Sequence, residues 1–218
     1  MRVLVAGSHG KVGQRLVRVL VEHGHDVVAM IRDGEQTSQM QDYGARPLIA
    51  DLEHDVTFAP LGCDAVVFTA GAGAGSGAAK KQTIDRDGAE KLVDAAVRHD
   101  VRRYVLVSSI GAHDPDRGGD ALRPYLEAKR QADEHLMASP LDWTVVRPGA
   151  LHDDPGDGRV SLSTELGGRG PVSRDDVAAV LAAVLDDPRT HGLLFELFDG
   201  DAPIGEALDA LVADRAKR

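Results

Sequence analysis

Tyr125 and Lys129 form a Y-x-x-x-K pair, and these residue types at this spacing can carry out proton chemistry. A separation of four residues places both side chains on one face of a helix. An ammonium group close to a phenol lowers the pKa of the phenol, which can then give or take a proton near neutral pH. A chance pair is uncommon because the chain has only three tyrosines.

Two serines precede this pair and are candidates for orienting a substrate. Ser108 and Ser109 end a predicted strand, where a hydroxyl can hold a substrate carbonyl. A serine at the end of a strand also commonly caps its own turn, and the sequence leaves both interpretations open.

A glycine-rich turn follows the first predicted strand. Gly7 to Gly13 reads G-x-x-G-x-x-G and opens an amphipathic helix. Glycines let the backbone approach a pyrophosphate closely, and the helix N-terminus supplies free N–H groups and a positive partial charge. The turn therefore predicts nucleotide binding, with the alternative of a purely structural turn. The predicted binding residues are Gly7, Ser8, His9, Gly10, Lys11, Val12 and Gly13.

The end of the second predicted strand indicates which nucleotide binds. Arg32 stands 19 residues past Gly13, where NAD-binding proteins place a carboxylate for the ribose 2′-hydroxyl. A guanidinium attracts a 2′-phosphate, which a carboxylate would repel, so Arg32 favours NADP over NAD. Asp33 comes one position too late. Asp51 and Leu52, after the third strand, are placed to contact the adenine. The alternatives are an exposed loop arginine and an ordinary turn aspartate.

These residues need a scaffold that brings the ends of several strands together. Short aliphatic runs alternate with helical patterns along the chain, which predicts a parallel sheet covered on both faces. We predict an α/β fold, a Rossmann-type doubly wound sheet with strand order 3-2-1-4-5-6. The predicted strands are Arg2–Ala6, Asp26–Ile31, Arg46–Ala50, Asp64–Thr69, Val101–Val107 and Leu141–Val146.

The predicted organisation is one domain with two portions. Residues 1–148 form the dinucleotide-binding core, and residues 149–218 a small substrate-side cap with a further strand at Leu193–Phe198. Long helices are predicted over Lys80–His99 and from Pro124 to Met137, which places Tyr125 in a first turn. The glycine–alanine stretch 70–79 is either a flexible loop or part of the ligand site, the latter through Ala70 and Gly71.

Composition excludes several classes of function. The net charge of −10 disfavours nucleic acid as a partner. Apolar runs are too short for a membrane helix, and we read no signal peptide. The single cysteine, Cys63, fits a reducing cytoplasm. The nine histidines are scattered, with only His23 and His25 close together, so we predict no metal site.

The motifs together resemble the short-chain dehydrogenase/reductase superfamily. Beside the glycine turn and Tyr125–Lys129, the segments Val107-Ser-Ser109 and Val146-Arg-Pro-Gly149 carry the likeness. The chain is most similar to the small atypical, epimerase/dehydratase-like branch. The resemblance implies Tyr125 as acid/base, Lys129 as its ribose-binding partner and Ser109 as the carbonyl-orienting residue. It also implies that Pro148 and Gly149 line the nicotinamide. One departure is that Ser109 lies 16 residues before Tyr125, more than in typical members.

The expected function is that of an NADP-dependent oxidoreductase acting on a small carbonyl, quinone or flavin-like substrate. Two alternatives remain: an NAD(P)-dependent epimerase or dehydratase, and a non-enzymatic NADP(H)-sensing module. The expected partner is a small molecule, and the expected state is a monomer or homodimer.

Overall fold

The computed structural model describes residues 1–73, 77–165 and 167–215. Strands and helices alternate over the first two thirds of the chain, as predicted. The strands are β1 (Arg2–Ala6), β2 (Asp26–Ile31), β3 (Arg46–Ile49), β4 (Ala65–Phe68), β5 (Arg103–Val107), β6 (Asp142–Pro148), β7 (Ala150–His152), β8 (Arg159–Ser163), β9 (Pro171–Ser173), β10 (Leu193–Asp199) and β11 (Ala202–Pro203). The α-helices are α1 (Lys11–Glu22), α2 (Thr37–Asp42), α3 (Ala78–Lys80), α4 (Ala89–Arg98), α5 (Gly119–Ala138), α6 (Arg174–Asp186) and α7 (Ile204–Arg215).

The main sheet confirms the predicted strand order. Its strands run β11-β8-β10-β6-β5-β4-β1-β2-β3, so the first six strands of the chain are arranged 3-2-1-4-5-6. Strand β1 pairs in parallel with both β2 and β4. The chain therefore reverses direction across the sheet between β1 and β4, and ligands of open α/β sheets bind beside such a point.

Both faces of the sheet are buried, which explains the nearly continuous aliphatic strands. Val3 and Val5 of β1 pack in the core cluster that includes α1 and α6. Leu4 and Ala6 point to the other face, in the cluster that includes α4 and α5. Successive side chains of a strand face opposite ways, so a strand covered on both sides needs apolar residues at every position.

The chain after Pro148 extends the sheet and also adds a second small one. Strand β10 pairs in parallel with β6, while β8 runs antiparallel to β10. Strands β7 and β9 form a separate two-stranded parallel sheet. No helix among the described residues is both long and apolar enough to cross a bilayer.

The helix that carries Tyr125 begins earlier than predicted, so the prediction of a start at Pro124 is wrong. Helix α5 begins at Gly119 and contains Pro124 in its interior. A proline there removes the N–H group that would bond to the carbonyl of Asp120. Asp120 is exposed, so water can satisfy that carbonyl. Tyr125 consequently lies in the second turn of α5 rather than the first.

The helix predicted over Lys80–His99 is continuous but not uniform. Residues Lys81–Gly88 form a π-helical segment between α3 and α4. Such wider turns occur often at functional sites, because they rotate the side chains that follow. The part of the glycine–alanine stretch at residues 74–76 lies outside the described residues.

Candidate functional site

The glycine turn forms an anion-binding helix end. Gly7 has φ +85°, and Gly10 N–H donates to Gly7 O at 2.9 Å. The first bond within α1 is donated by Gln14 to Gly10 O, so the N–H groups of Lys11 to Gly13 precede it. No acidic residue lies in the first turn of α1 and no side chain caps it. This end of the helix fits a pyrophosphate.

Two residues of the turn have structural roles. A Cβ on Gly13 would lie 2.2 Å from Gly7 O, so only glycine allows the helix to approach the turn. The prediction that Ser8 supplies a phosphate donor is not supported. Ser8 is fully buried, and its hydroxyl donates to Val5 O at 2.7 Å because the turn directs the side chain back toward β1.

A cleft of about 340 Å³, here called the β2 cleft, opens beside the ends of β2 and β3. Arg32 lines it, whereas Asp33 is held away by accepting from Glu35 N–H at 3.0 Å. Asp51 and Leu52 also line it, where an adenine was predicted. The lining residues are Gly7, His9, Gly10, Met30, Ile31, Arg32, Gln36, Ala50, Asp51, Leu52, Thr69, Ala70, Gly71, Ala72, Lys80 and Ile84.

A larger cleft of about 820 Å³, here called the α5 cleft, lies on the other side of the β1–β4 boundary. It shares Gly10, Thr69, Ala70 and Gly71 with the β2 cleft, so the two form one continuous groove. Its remaining lining residues are Lys11, Val12, Gly73, Lys81, Asp85, Val107, Ser108, Ser109, Leu122, Tyr125, Lys129, Pro148, Gly149, Leu151 and Arg174. The groove has the shape a dinucleotide needs when it crosses the sheet at this point.

Tyr125 and Lys129 lie together in the α5 cleft. The Lys129 Nζ is 5.9 Å from the centroid of the Tyr125 ring. Lys129 is 4% exposed, and its Nζ donates to Val107 O at 3.1 Å. One turn of helix separates the two residues, as their spacing predicted.

Asp85 is the partner that keeps Lys129 charged. Its carboxylate lies 3.2 Å from the Lys129 Nζ and accepts from Ala72 N–H at 3.1 Å. Burial alone would lower the pKa of Lys129, but the carboxylate of Asp85 and the neighbouring Tyr125 outweigh burial and raise it. Asp85 therefore connects the cleft lysine to the loop after β4.

A second buried ion pair lies behind the two serines. Asp133 accepts from Arg147 Nε and Nη2 at 3.1 and 2.9 Å, and from the Ser108 hydroxyl at 2.8 Å. Burial raises the pKa of Asp133, and the positive charge of Arg147 opposes the rise. The hydroxyl proton of Ser108 is therefore used by Asp133, while Ser108 still lines the α5 cleft.

The residues that were predicted to lie around the substrate carbonyl and the nicotinamide also line this cleft. Ser109 is partly exposed, and its hydroxyl donates to Ile110 O at 3.1 Å. Ser109 reaches the cleft wall together with Pro148 and Gly149. Its role as a carbonyl-orienting residue stays a prediction.

Three positively charged side chains from α1 and α6 surround the carboxylate of Asp153 near the glycine turn. Asp153 pairs with Lys11 at 2.5 Å and with Arg174 at 3.1 Å. Arg15 joins the same carboxylate at 3.5 Å. Lys11 pulls the pKa of Asp153 below its usual range, although slight desolvation opposes the shift. The loop after β7 is thereby connected to the N-terminal end of α1.

Sequence reasoning missed the buried charges Asp85, Asp133 and Arg147. Asp85 lies on the buried helix face that also carries Ala89, Leu92 and Ala96. A carboxylate at helical spacing from apolar residues was the signal, since buried charges need partners. Lys81 and Arg174 were missed because sequence does not show which exposed cations face a cleft.

The prediction that the chain has no metal site needs a qualification, because two histidines lie close to an aspartate. Asp186 at the end of α6 joins His23 and His25, and possible ligand atoms of the three lie within 4.8 Å of one another. His25 pairs with Asp186 at 3.2 Å. The group lies at the far end of α1 from the glycine turn, roughly 18 Å for a 12-residue helix, so it does not belong to the groove.

Comparisons with known proteins agree with this geometry. The NAD(P)H-binding family profile matches residues 7–188. A Bacillus subtilis (strain 168) protein named an uncharacterized sugar epimerase is 41% identical over 215 residues, covering 97% of this chain and 100% of the relative.

Two solved structures extend the likeness to the whole fold. A Bacillus halodurans structure, provisionally described as an NAD-dependent epimerase/dehydratase, has 42% identity and a TM-score of 0.94, covering 97% of this chain and 100% of that one. The oxidoreductase ylbE of Lactococcus lactis has 27% identity and a TM-score of 0.88, covering 98% and 97%. The chain therefore belongs to the NAD(P)H-binding family, in the epimerase/dehydratase-like branch of the short-chain dehydrogenase/reductase superfamily.

Proposed function

We propose that the protein is an NADP(H)-dependent oxidoreductase that reduces or oxidises a small carbonyl, quinone or flavin-like substrate, with Tyr125 as acid/base. The observation that carries this proposal is the continuous groove, in which Tyr125 and Lys129 stand next to the glycine turn. A cofactor bound along this groove would have its phosphates at the N-terminus of α1 and its nicotinamide beside Pro148 and Gly149.

The proposed reaction divides hydride and proton between two donors. Beside Pro148 and Gly149, a reduced nicotinamide would supply hydride chemistry for the carbonyl carbon. Tyr125 gives its hydroxyl proton to the carbonyl oxygen and regains a proton from solvent, so that one hydride and one proton yield the alcohol. Lys129 stands close enough to stabilise the phenolate, and its remaining N–H can orient a ribose hydroxyl. The buried Asp85 holds Lys129 in that position.

The test of this role is Tyr125→Phe, which removes only the hydroxyl. Cofactor affinity should stay nearly unchanged, and turnover should fall by about 10² to 10⁴-fold. Substrates would be sought by following NADPH consumption with carbonyls, quinones and flavins. Wild-type turnover by the phenylalanine variant would overturn the proton role of Tyr125, and an NADP(H)-sensing module would show no turnover to lose.

We also propose a preference for NADP over NAD, because Arg32 lines the β2 cleft while Asp33 is held by the turn that it caps. Lys80 adds a second positive charge to the same lining. Calorimetry on wild type should show tighter binding of NADP, and Arg32→Asp should reverse the order. Equal or tighter binding of NAD by wild type would overturn this preference.

A second candidate function is epimerisation, and the name of the Bacillus subtilis relative favours it. An epimerase would oxidise and then reduce the same substrate, so the cofactor would show no net consumption. The portion after residue 148 has only 70 residues, which favours a small substrate over a sugar nucleotide. Stereochemical inversion of a sugar without net consumption of NADPH would support the epimerase instead.

The organisation that we propose is one domain over residues 1–218. In it, residues 1–148 bind the dinucleotide and residues 149–218 form the substrate side, which is supported by Gly149, Leu151 and Arg174 lining the α5 cleft. We further propose a cytoplasmic monomer or homodimer, supported by the single, buried Cys63.

A further inference from the structure

Lys81 is a second ammonium group beside the candidate acid/base residue. It comes from the π-helical segment Lys81–Gly88 and lines the α5 cleft. Its Nζ is 5.9 Å from the centroid of the Tyr125 ring, the same distance as the Nζ of Lys129. Lys129 is deeply buried, whereas Lys81 is partly exposed at the wall of the cleft. Of the two, Lys81 is therefore the one that a substrate can reach.

Lys81 also differs from the other cations of this cleft in its partners. Lys129 pairs with Asp85, and both Lys11 and Arg174 pair with Asp153. In the described part of the chain, no carboxylate lies within ion-pair distance of Lys81. An ammonium without a carboxylate partner at the wall of a cleft attracts an anion.

The cofactor phosphates have other donors. The N–H groups of Lys11 to Gly13 precede the first bond within α1 and are placed to donate to a pyrophosphate. The neighbouring Lys80 lines the β2 cleft instead, and it pairs with Glu53 at 3.5 Å. Lys81 lines only the α5 cleft, where the substrate of the proposed reaction would lie.

Two exposed leucines also line the α5 cleft. Leu122 is 52% exposed and Leu151 is 38% exposed, and both line the α5 cleft. Leu122 precedes Tyr125 by three residues, so the early start of α5 places the two on one face. A ligand between these leucines would bury apolar surface while its charge met Lys81.

We propose that Lys81 binds the carboxylate of the substrate and that the substrate is a 2-oxo acid, or the matching 2-hydroxy acid, with an apolar side chain. The inference rests on the proposed function. The Lys81 Nζ lies 5.9 Å from the centroid of the Tyr125 ring, so a carboxylate on Lys81 and a carbonyl at the Tyr125 hydroxyl can belong to one small molecule. A 2-oxo acid is the smallest molecule that carries both groups. Reduction adds hydride to the carbonyl carbon and a proton to its oxygen, while the carboxylate takes no part in the bond changes.

The test compares a charged probe with a neutral one. Phenylglyoxylate and its methyl ester share the ring and the carbonyl but differ in charge. Calorimetry with each probe on the protein saturated with NADP⁺ should show tighter binding of the acid. Lys81→Gln should weaken the binding of the acid by about 10- to 100-fold, the usual range for a lost charge-assisted hydrogen bond. The same change should leave the binding of the ester unchanged. Lys81→Arg should retain most of the acid binding.

Arg98→Gln is the control, because it removes one positive charge from an exposed residue that lines neither cleft. It should leave phenylglyoxylate binding within about twofold of wild type, since exposed charges at a distance are screened. The inference is overturned if wild type binds the acid and the ester equally tightly or binds neither of them. It is also overturned if both glutamine variants reduce the affinity for the acid to the same extent.

The outcome for the proposed function is read separately, from NADPH consumption. Lys81-dependent binding of phenylglyoxylate without turnover of any carbonyl would leave the anion site and refute the oxidoreductase. Turnover of neutral carbonyls without binding of the acid would support the oxidoreductase and refute the anion site.

Discussion

The β2 cleft and the α5 cleft share four residues but are built in different ways. The β2 cleft consists of a backbone turn and exposed side chains such as Arg32. The α5 cleft depends on ionised side chains that are more than nine-tenths buried, Asp85 and Lys129, and on Asp133 and Arg147 behind its serines. Side chains of the β2 cleft can therefore be changed with little loss of stability. In the α5 cleft, the loss of one buried charge leaves its partner charged and buried without an opposite charge.

The largest expected effect is on the support of the α5 cleft. Asp133→Ala should reduce the free energy of unfolding by about 3 to 5 kcal/mol, because it leaves Arg147 charged and buried without its carboxylate. Urea unfolding followed by circular dichroism measures this change.

The control for that experiment is Glu134→Ala, the next residue of α5. Glu134 is exposed and pairs with Arg130 at 3.2 Å. Loss of the Glu134 side chain should reduce the free energy of unfolding by only a few tenths of a kcal/mol. Similar losses for the two variants would show that the buried pair contributes no more than a surface pair.

A smaller effect is expected at the backbone of the β2 cleft. In Gly13→Ala, the new Cβ would lie 2.2 Å from Gly7 O, so the turn must shift. We expect a loss of about 1 to 3 kcal/mol in unfolding free energy, as for other overpacked sites. Fluorescence titration should also show weaker cofactor binding.

Gly205→Ala in α7 is the control for this backbone effect, because nothing lies within 4 Å of its added Cβ. That change should be neutral or stabilise by up to about 1 kcal/mol, since alanine favours helix more than glycine does. A Gly13→Ala variant as stable as wild type would contradict the close approach of helix and turn.

The smallest effect is a pH dependence of the Asp85–Lys129 pair. The folded protein holds the pKa of Lys129 above its ordinary value, so it binds that proton more tightly than the unfolded chain does. The resulting stability is fully present below pH of about 10 and is lost as the pH rises through the raised pKa. Wild type should therefore lose stability relative to Lys129→Met only in that alkaline range.

Lys80→Met provides the comparison for the alkaline range, because Lys80 is exposed. The stability of the Lys80→Met variant should change with pH in the same way as that of wild type. If wild type instead kept or gained stability relative to Lys129→Met as the pH rose, the folded state would not favour the charged lysine.

The early glycine motif and the strand pattern made the α/β part of the molecule predictable. The aliphatic runs predicted the six core strands and their order, because strands buried on both faces carry apolar residues at every position. Motif spacing also identified Tyr125 and Lys129 as a pair on one helix face. Positions less tied to periodicity were predicted less well, as the start of α5 shows.

The start of α5 was misplaced because the local rule that was applied expresses a preference and not a prohibition. Proline disfavours helical geometry in the residue before it, and that rule placed the helix start at Pro124. In the fold, Gly119–Arg123 adds a turn ahead of the proline, with Leu122 facing the α5 cleft. Ser8 was misassigned for a related reason, because a motif does not show which way each of its side chains points.

The sequence by itself determined the order of strands and helices, the glycine turn and the Y-x-x-x-K pair, since each depends on residues that are near neighbours along the chain. Only the tertiary structure decided which charges meet. Asp85 and Lys129 are 44 residues apart, and Asp133 and Arg147 come from a helix and a strand. An ion pair depends on distance in space and on burial, and the packing of the π-helical segment and of α5 against the sheet sets both.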